Sequence, residues 1–557
     1  MNSKMKKVAA LCMAGLMCGS VTSLVACGGD NGGSGNKGNA TELNIKIFNG
    51  GLGYAWLEDL AESFTETFKN VSFEPGKEGV YISITPNKQF TDLHQNMSSG
   101  ADAEDIYYTA TANLYDFTNL GVAYDMTDIM TANVYDEDGN VKLNATGDGW
   151  EIQTKSLASR ISVDYYKEAF NLGTEENPSY FAIPYEDSIS GFVVDWDLFV
   201  EEGWNTYSGL DGMPGTWLEF RDLLLKIQAG GYSAFSYSTH VGYYTPSIQR
   251  AVQAKVDGVE WYNGLYSDYT GSYDFNNDGT ISADEEITPS SMGKVIDTRG
   301  VEAAVKMAQA MFEKPATGNT YYDSNVVQGV SYGGAQQDFV MSKASKNRPR
   351  IAMLLEGEWW ENEARATFNS MGGVNIANGY GKREFRFMPI PQMTNNDKTE
   401  KYTIGSFSNG YITIANQKTV GDNEVKQRLV ELWLQYQYSD KGLRCFTSHN
   451  GATLPFDYEL SDEEFAKLTP FGRNVWELKH SDEVEIVYDS PMMRSRQVRL
   501  GTQLFDYHVT IGNEYKGHLF NNYVTFCQEE KNVSVADYLK GMHDYYDTKF
   551  ATAYAQA

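Results

Sequence analysis

Cysteine, histidine and basic residues are scarce in this chain. It has five cysteines and seven histidines in 557 residues, and 45 Lys and Arg stand against 74 Asp and Glu for a formal charge of −29. The histidines are scattered, with no His-Glu-x-x-His motif and no close pair, which argues against a zinc enzyme or a metal-scavenging binder. Three cysteines (Cys12, Cys18, Cys27) lie in the first 27 residues. Only Cys445 and Cys527 remain, enough for one disulfide but not for an unaided zinc site. The acidic excess makes nucleic acid or an anionic membrane surface an improbable partner. Long apolar runs are also missing, apart from residues 8–26, so nothing later in the chain reads as a membrane span. A P-loop is absent, and the glycines of "NGGLGYAW" (49–56) make no dinucleotide fingerprint, because Tyr54 stands where a third glycine is needed.

The start of the chain sets the expected address. Lys4, Lys6 and Lys7 precede the apolar stretch 8–26, and "LVAC" (24–27) ends it. This resembles a bacterial lipoprotein signal, cut before Cys27, with that cysteine lipidated. The glycine-rich segment 28–42 reads as a flexible tether with a typical reach of roughly 20 Å. The expectation is a protein anchored to the extracytoplasmic face of the cell membrane by lipid alone, with 1–26 as signal peptide and 27–42 as tether.

The body opens as α/β. "LNIKIF" (43–48) alternates like a strand, and Leu57, Leu60, Ala61, Phe64 and Phe68 share one helical face. Strand "VYISIT" (80–85), a helix near 90–99, strand "DIYYT" (105–109) and a helix near 112–120 follow. That βαβαβα order implies a mostly parallel sheet with ligands at the carboxyl ends of its strands, which places loop 49–56 at a binding edge. With no internal linker, about 515 residues pack as two or so interlocked domains.

One segment has a metal-ligand pattern. In "DFNNDGTISADEE" (274–286), Asp274, Asn276, Asp278, Thr280 through its carbonyl, and Glu285 take the oxygen positions of a twelve-residue calcium loop. Ser282 would act through a water, and Gly279 sits at the sharp turn. Pro289 stops a long exiting helix and no second complete loop exists, so a structural Ca²⁺ is expected and not a sensor. "YDEDGN" (135–140) begins alike but reads as a hairpin turn.

The motifs "NGGLGYAW", "ADAEDIYYT", "FAIPYEDSISGFVVDWDLF", "PGTWLEFRDLLLKI", "AQQDFVMSKA", "IAMLLEGEWW", "FMPIPQM", "NGYITIANQ" and "NGATLP" come in the order seen in extracellular solute-binding proteins of carbohydrate ABC importers. From about residue 43 to "VSVADYLKGMHDYY" the chain resembles that maltose-binding-like family. It departs from the pattern at Asp195-Trp196-Asp197, in its length and in the calcium loop. The resemblance implies an α/β, two-lobed, periplasmic-binding-protein-like fold with an interlobe cleft. Lobe 1 is expected at 42–189 plus 410–458 and lobe 2 at 190–409 plus 459–557, with crossings near 188–193 and 405–412. It also implies a non-catalytic, monomeric receptor delivering an oligosaccharide to ABC permease subunits.

A sugar site needs aromatic platforms beside planar polar groups. The candidates are Tyr54, Trp56, Tyr243, Tyr244, Trp359 and Trp360 as platforms, and Asn49, Tyr185, Glu186, Asp187, Asn409, Arg494 and Arg496 as polar contacts. Core packing competes for every aromatic, above all Trp56, and surface salt bridges compete for the arginines. A peptide or a charged sugar stands as the alternative ligand. A glycoside hydrolase needs a spaced carboxylate pair that 74 acidic residues make unreadable.

Overall fold

The structure, a computed structural model, describes residues 33–34, 37–110, 113–238, 244–313, 319–326, 329–407, 410–488, 509–510, 516–517 and 534–556. Thr41–Phe48 alternates between buried and half-buried positions, so Leu43, Ile45 and Ile47 enter the core. It pairs in parallel with Val80–Asn87 on one side and Ile106–Thr109 on the other. The helix Ala55–Thr67 crosses between the first two strands and buries Trp56, Leu57, Leu60, Ala61 and Phe64, the face that its apolar spacing predicts. Helices Leu93–Ser99 and Leu114–Asn119 follow the next two strands. Gly33–Ser34 extends one edge of this six-stranded sheet, while Ile412–Ala415 and Ile183–Pro184 complete the other, both antiparallel to their neighbours.

The second sheet runs Val484–Val487, Tyr402–Ser406, Ile189–Asp195, Ile351–Gly357, Ser233–Ser236, with Phe385–Met388 also paired to Ile189–Asp195. Its two central strands are buried at every position, because elements cover both faces. Trp360, Phe339, Phe368, Phe385 and Phe471 pack together on one face.

Two segments join the sheets side by side. The chain leaves Pro184 and enters the second sheet at Ile189; it returns between Ser406 and Ile412. Phe407 N–H donates to the Ser188 carbonyl at 2.8 Å, and Tyr185 N–H to the Tyr411 carbonyl at 3.2 Å. The first crossing therefore occupies 185–188 and not 188–193, because Ile189 already carries a second-sheet bond partner. The helix Asp440–Asn450 packs on the first lobe, with Phe446 5.1 Å from Trp56. Pro470–Lys479 packs on the second, so the chain crosses again between them.

Among the described residues no helix is long and apolar enough to cross a membrane. Cys445 is a free, half-buried thiol whose Sγ lies 3.5 Å from the Trp56 carbonyl; Cys527 lies outside the described residues.

Candidate ligand-binding cleft

The carboxyl end of Thr41–Phe48 supplies the first wall. Asn49 N–H bonds the Asn87 carbonyl at 2.7 Å, which holds the two strand ends together, and Gly53 turns the loop at φ +59°. Phe48, Asn49 and Tyr54 are half-buried there. Tyr411, from the returning crossing, lies 5.8 Å from Phe48.

The second wall is the end of Ile351–Gly357. Trp359 leaves that strand with its ring 5.3 Å from Phe407 and 6.3 Å from Tyr244; Tyr244 in turn meets Phe407 at 5.6 Å and Tyr332 at 5.7 Å. Gly51 of the first wall lies so close to Trp359 that a methyl there would sit 2.7 Å from its Cβ. The lobes therefore meet at the glycine loop and Trp359.

Polar groups stand behind this aromatic cluster. Glu356 is wholly buried, accepts from Gly357 N–H at 3.1 Å, and takes one N–H of Gln336 at 3.3 Å. The same Gln336 amide donates to Glu363 at 2.7 Å. Burial, reinforced by the Glu363 charge, pushes the Glu356 carboxyl up to about 8, and the Tyr244 hydroxyl bond opposes this. Glu363 is exposed on one side yet raised by desolvation, as expected of a carboxylate in a recess. Flat rings are thus packed beside carboxyl and amide groups where the two walls meet.

The sequence candidates sort unevenly. Asn49 and Tyr54 are half-buried at the first wall, while Tyr244 and Trp359 are buried at the second, 4% and 5% exposed. Trp56 does not: it is 1% exposed and packs edge-on to Tyr108 and Phe446. Trp360 is core, because as the first residue of the helix Trp360–Glu363 it points into the second-sheet cluster, away from its neighbour. Tyr185 is core as well, its hydroxyl donating to the Thr109 carbonyl at 3.0 Å. Glu186 and Asp187 are buried in the first crossing, and Asp187 is paired with Lys479 at 3.4 Å. Tyr243, Asn409, Arg494, Arg496 and Cys27 lie outside the described residues. Sequence reasoning missed Glu356, Gln336, Glu363, Phe407 and Tyr411. Glu356, Gln336 and Tyr411 fall within the quoted motifs, where the first two read as polar breaks in core segments.

The calcium-like loop lies apart from the cleft residues in sequence, between the antiparallel pair Gly271–Ser272 and Glu286–Ile287. Asn277 and Gly279 turn it through the left-handed region at φ +59° and +83°. Asp274 accepts from Asp278 N–H at 3.1 Å and Gly279 N–H at 2.9 Å, and Glu285 accepts from Phe275 N–H at 3.0 Å and Ser282 N–H at 2.9 Å. Arg299 donates to the Asp274 carbonyl at 3.0 Å, tying the loop to the helix Arg299–Phe312. Among the described residues no three His, Cys, Asp or Glu side chains converge as a preformed metal cluster.

No family model matches the chain, and no curated protein matches it. Solved structures do. A probable secreted solute-binding lipoprotein from Streptomyces coelicolor superposes with TM-score 0.53 at 12% identity, over 91% of this chain and 99% of that one. A chitin oligosaccharide binding protein gives 0.51 at 13%, over 92% and 99%. The solute-binding protein RafE in complex with raffinose gives 0.50 at 12%, over 92% and 99%. The chain has the solute-binding-protein fold. In that fold the two sheets, joined through 185–188 and by the return from Ser406 to Ile412, are the two α/β lobes.

Proposed function

We propose that this chain is a non-catalytic, lipid-anchored receptor that closes on an oligosaccharide between its lobes and delivers it to an ABC import permease. The observation that carries the reading is the aromatic cluster of Trp359, Tyr244 and Phe407 facing the glycine loop, with Glu356, Gln336 and Glu363 beside it. Sugar rings offer apolar C–H faces to such rings and hydroxyls to such carboxyl and amide groups. Two of the superposed structures are named for raffinose and for chitin oligosaccharide, which supports the same ligand class here. Closure would occur by rotation about the crossings, and transport energy would come from a separate ATPase. The leader 1–26 with Cys27 supports the anchor.

The same proposal takes the loop Asp274–Glu285 as a structural calcium site. Its support is the spacing of Asp274, Asn276, Asp278, Thr280 and Glu285 and the left-handed turns at Asn277 and Gly279.

A thermal-shift screen of residues 28–557 at about 2 mM Ca²⁺ tests the reading against neutral oligosaccharides, acidic sugars and short peptides. Ligand at 100 times its Kd adds about 2.7 kcal/mol to the folded state, so one oligosaccharide class raises Tm and the others do not. A shift from peptides alone overturns the sugar assignment.

A further inference from the structure

Lys479, the last residue of the helix Pro470–Lys479, is buried where the hinge segments meet. Its ammonium lies 3.4 Å from Asp187 and 3.3 Å from Glu358, and donates to the Thr453 hydroxyl at 2.6 Å. Each partner comes from a different segment. Asp187 is in the first crossing, Thr453 follows the helix Asp440–Asn450, and Glu358 follows the central strand Ile351–Gly357. Tyr488 completes the set: its hydroxyl donates to Asp187 at 2.9 Å while its ring packs on Tyr165 and Tyr166 of the first lobe, 5.7 and 6.1 Å away. Glu358 further fixes the entry to the second sheet, accepting from Ile189 N–H at 3.0 Å.

One ammonium thus faces two buried carboxyl groups, and Glu358 Oε1 has no hydrogen-bond partner among the described residues. An unpartnered buried oxygen is far cheaper on a neutral carboxyl than on a carboxylate. We propose that Asp187, Lys479 and Glu358 form a proton-responsive latch on the lobe hinge. With Glu358 neutral, Lys479 serves Asp187 and the crossings keep the arrangement seen here. With Glu358 anionic, a single ammonium serves two buried carboxylates, and opening, which rehydrates Glu358, is favoured.

The groups facing the trio are the phenols of Tyr488, Tyr458 and Tyr166 and the neighbouring Glu186. Burial raises all three phenols, which stay neutral. Burial pulls Lys479 down, but Asp187 and Glu358 more than offset this and its ammonium is held above the ordinary range. Burial pushes the Glu358 carboxyl up to about 7, against the opposing charge of Lys479. A raised carboxyl contributes its stability below the ordinary pKa and loses it as pH rises through the folded value, so the latch loosens as pH rises through about 7.

The inference rests on the hinged-receptor reading but needs no sugar. Small-angle scattering of the solute-free protein from pH 6 to pH 8 is therefore the test. The open-to-closed ratio should rise about tenfold, seen as a larger radius of gyration at pH 8. Glu358→Gln should stay closed at both pH values, and Lys479→Met should be open at both. If Lys479→Met fails to fold, Glu358→Gln still decides. Wild-type scattering that ignores pH, or a Glu358→Gln protein that follows the wild-type response, overturns the latch. A protein that binds no sugar yet shows the scattering change keeps the latch and loses only the ligand assignment.

Discussion

Gly51→Ala isolates lobe closure from folding. The backbone at Gly51 is outside the left-handed region, so alanine fits the loop itself, but its Cβ would lie 2.7 Å from Trp359 Cβ and 2.9 Å from Cγ and Cδ1. Ordinary contact begins near 3.4 Å, so the two walls must separate by roughly 0.7 Å. Neither side yields easily: Trp359 is wedged between Tyr244 and Phe407. Overpacking of this kind costs about 1–3 kcal/mol, and opening the cleft relieves it. The cost therefore falls on the closed state alone, as roughly 5- to 150-fold weaker solute binding with Tm of the solute-free protein unchanged. Isothermal titration with the solute identified by the thermal-shift screen reads the affinity, and a melting curve reads the fold. Gly53→Ala is the converse, since φ is +59° there and nothing lies within 4 Å. It should strain the loop by about 1 kcal/mol and lower Tm without an opposing wall to clash with. Undiminished affinity in Gly51→Ala, or equal losses in both variants, would show that the lobes do not close through this contact.

Trp359→Ala and Trp360→Ala should part company: the first weakens solute binding with modest loss of stability, while the second removes a fully buried ring and costs about 3–5 kcal/mol in chemical denaturation. Chelation should lower Tm if the loop Asp274–Glu285 holds calcium. At 2 mM Ca²⁺ and a Kd of about 0.1 mM the bound ion adds about 1.8 kcal/mol, and Glu285→Gln should abolish the difference between calcium and chelator. Glu356, pushed up to about 8, contributes stability at low pH that is lost as pH rises through that value. The stability of Glu356→Gln should therefore fall less than that of wild type between pH 7 and 9 in urea titrations, and parallel curves would show that Glu356 stays neutral or is already solvated.

The first hundred residues of the body were legible because their signals are local. Period-two alternation marks Thr41–Phe48 and Val80–Asn87, and the spacing of Leu57, Leu60, Phe64 and Phe68 marks the helix between them. The cleft was legible only in part, since facing depends on where an element starts. Trp359 and Trp360 are indistinguishable by composition, yet one closes the strand and the other opens a helix, so their rings diverge into two separate clusters. Asp187 looked available for a ligand because its partner, Lys479, lies 292 residues away. Glu356 and Gln336 escaped notice for a related reason: a carboxyl in a strand buried at every position reads as an anomaly until Tyr244 and Gln336 are seen beside it. Residues whose partners come from several segments, as with Asp187, Lys479 and Glu358, are thus those for which distance in the chain hides the contact.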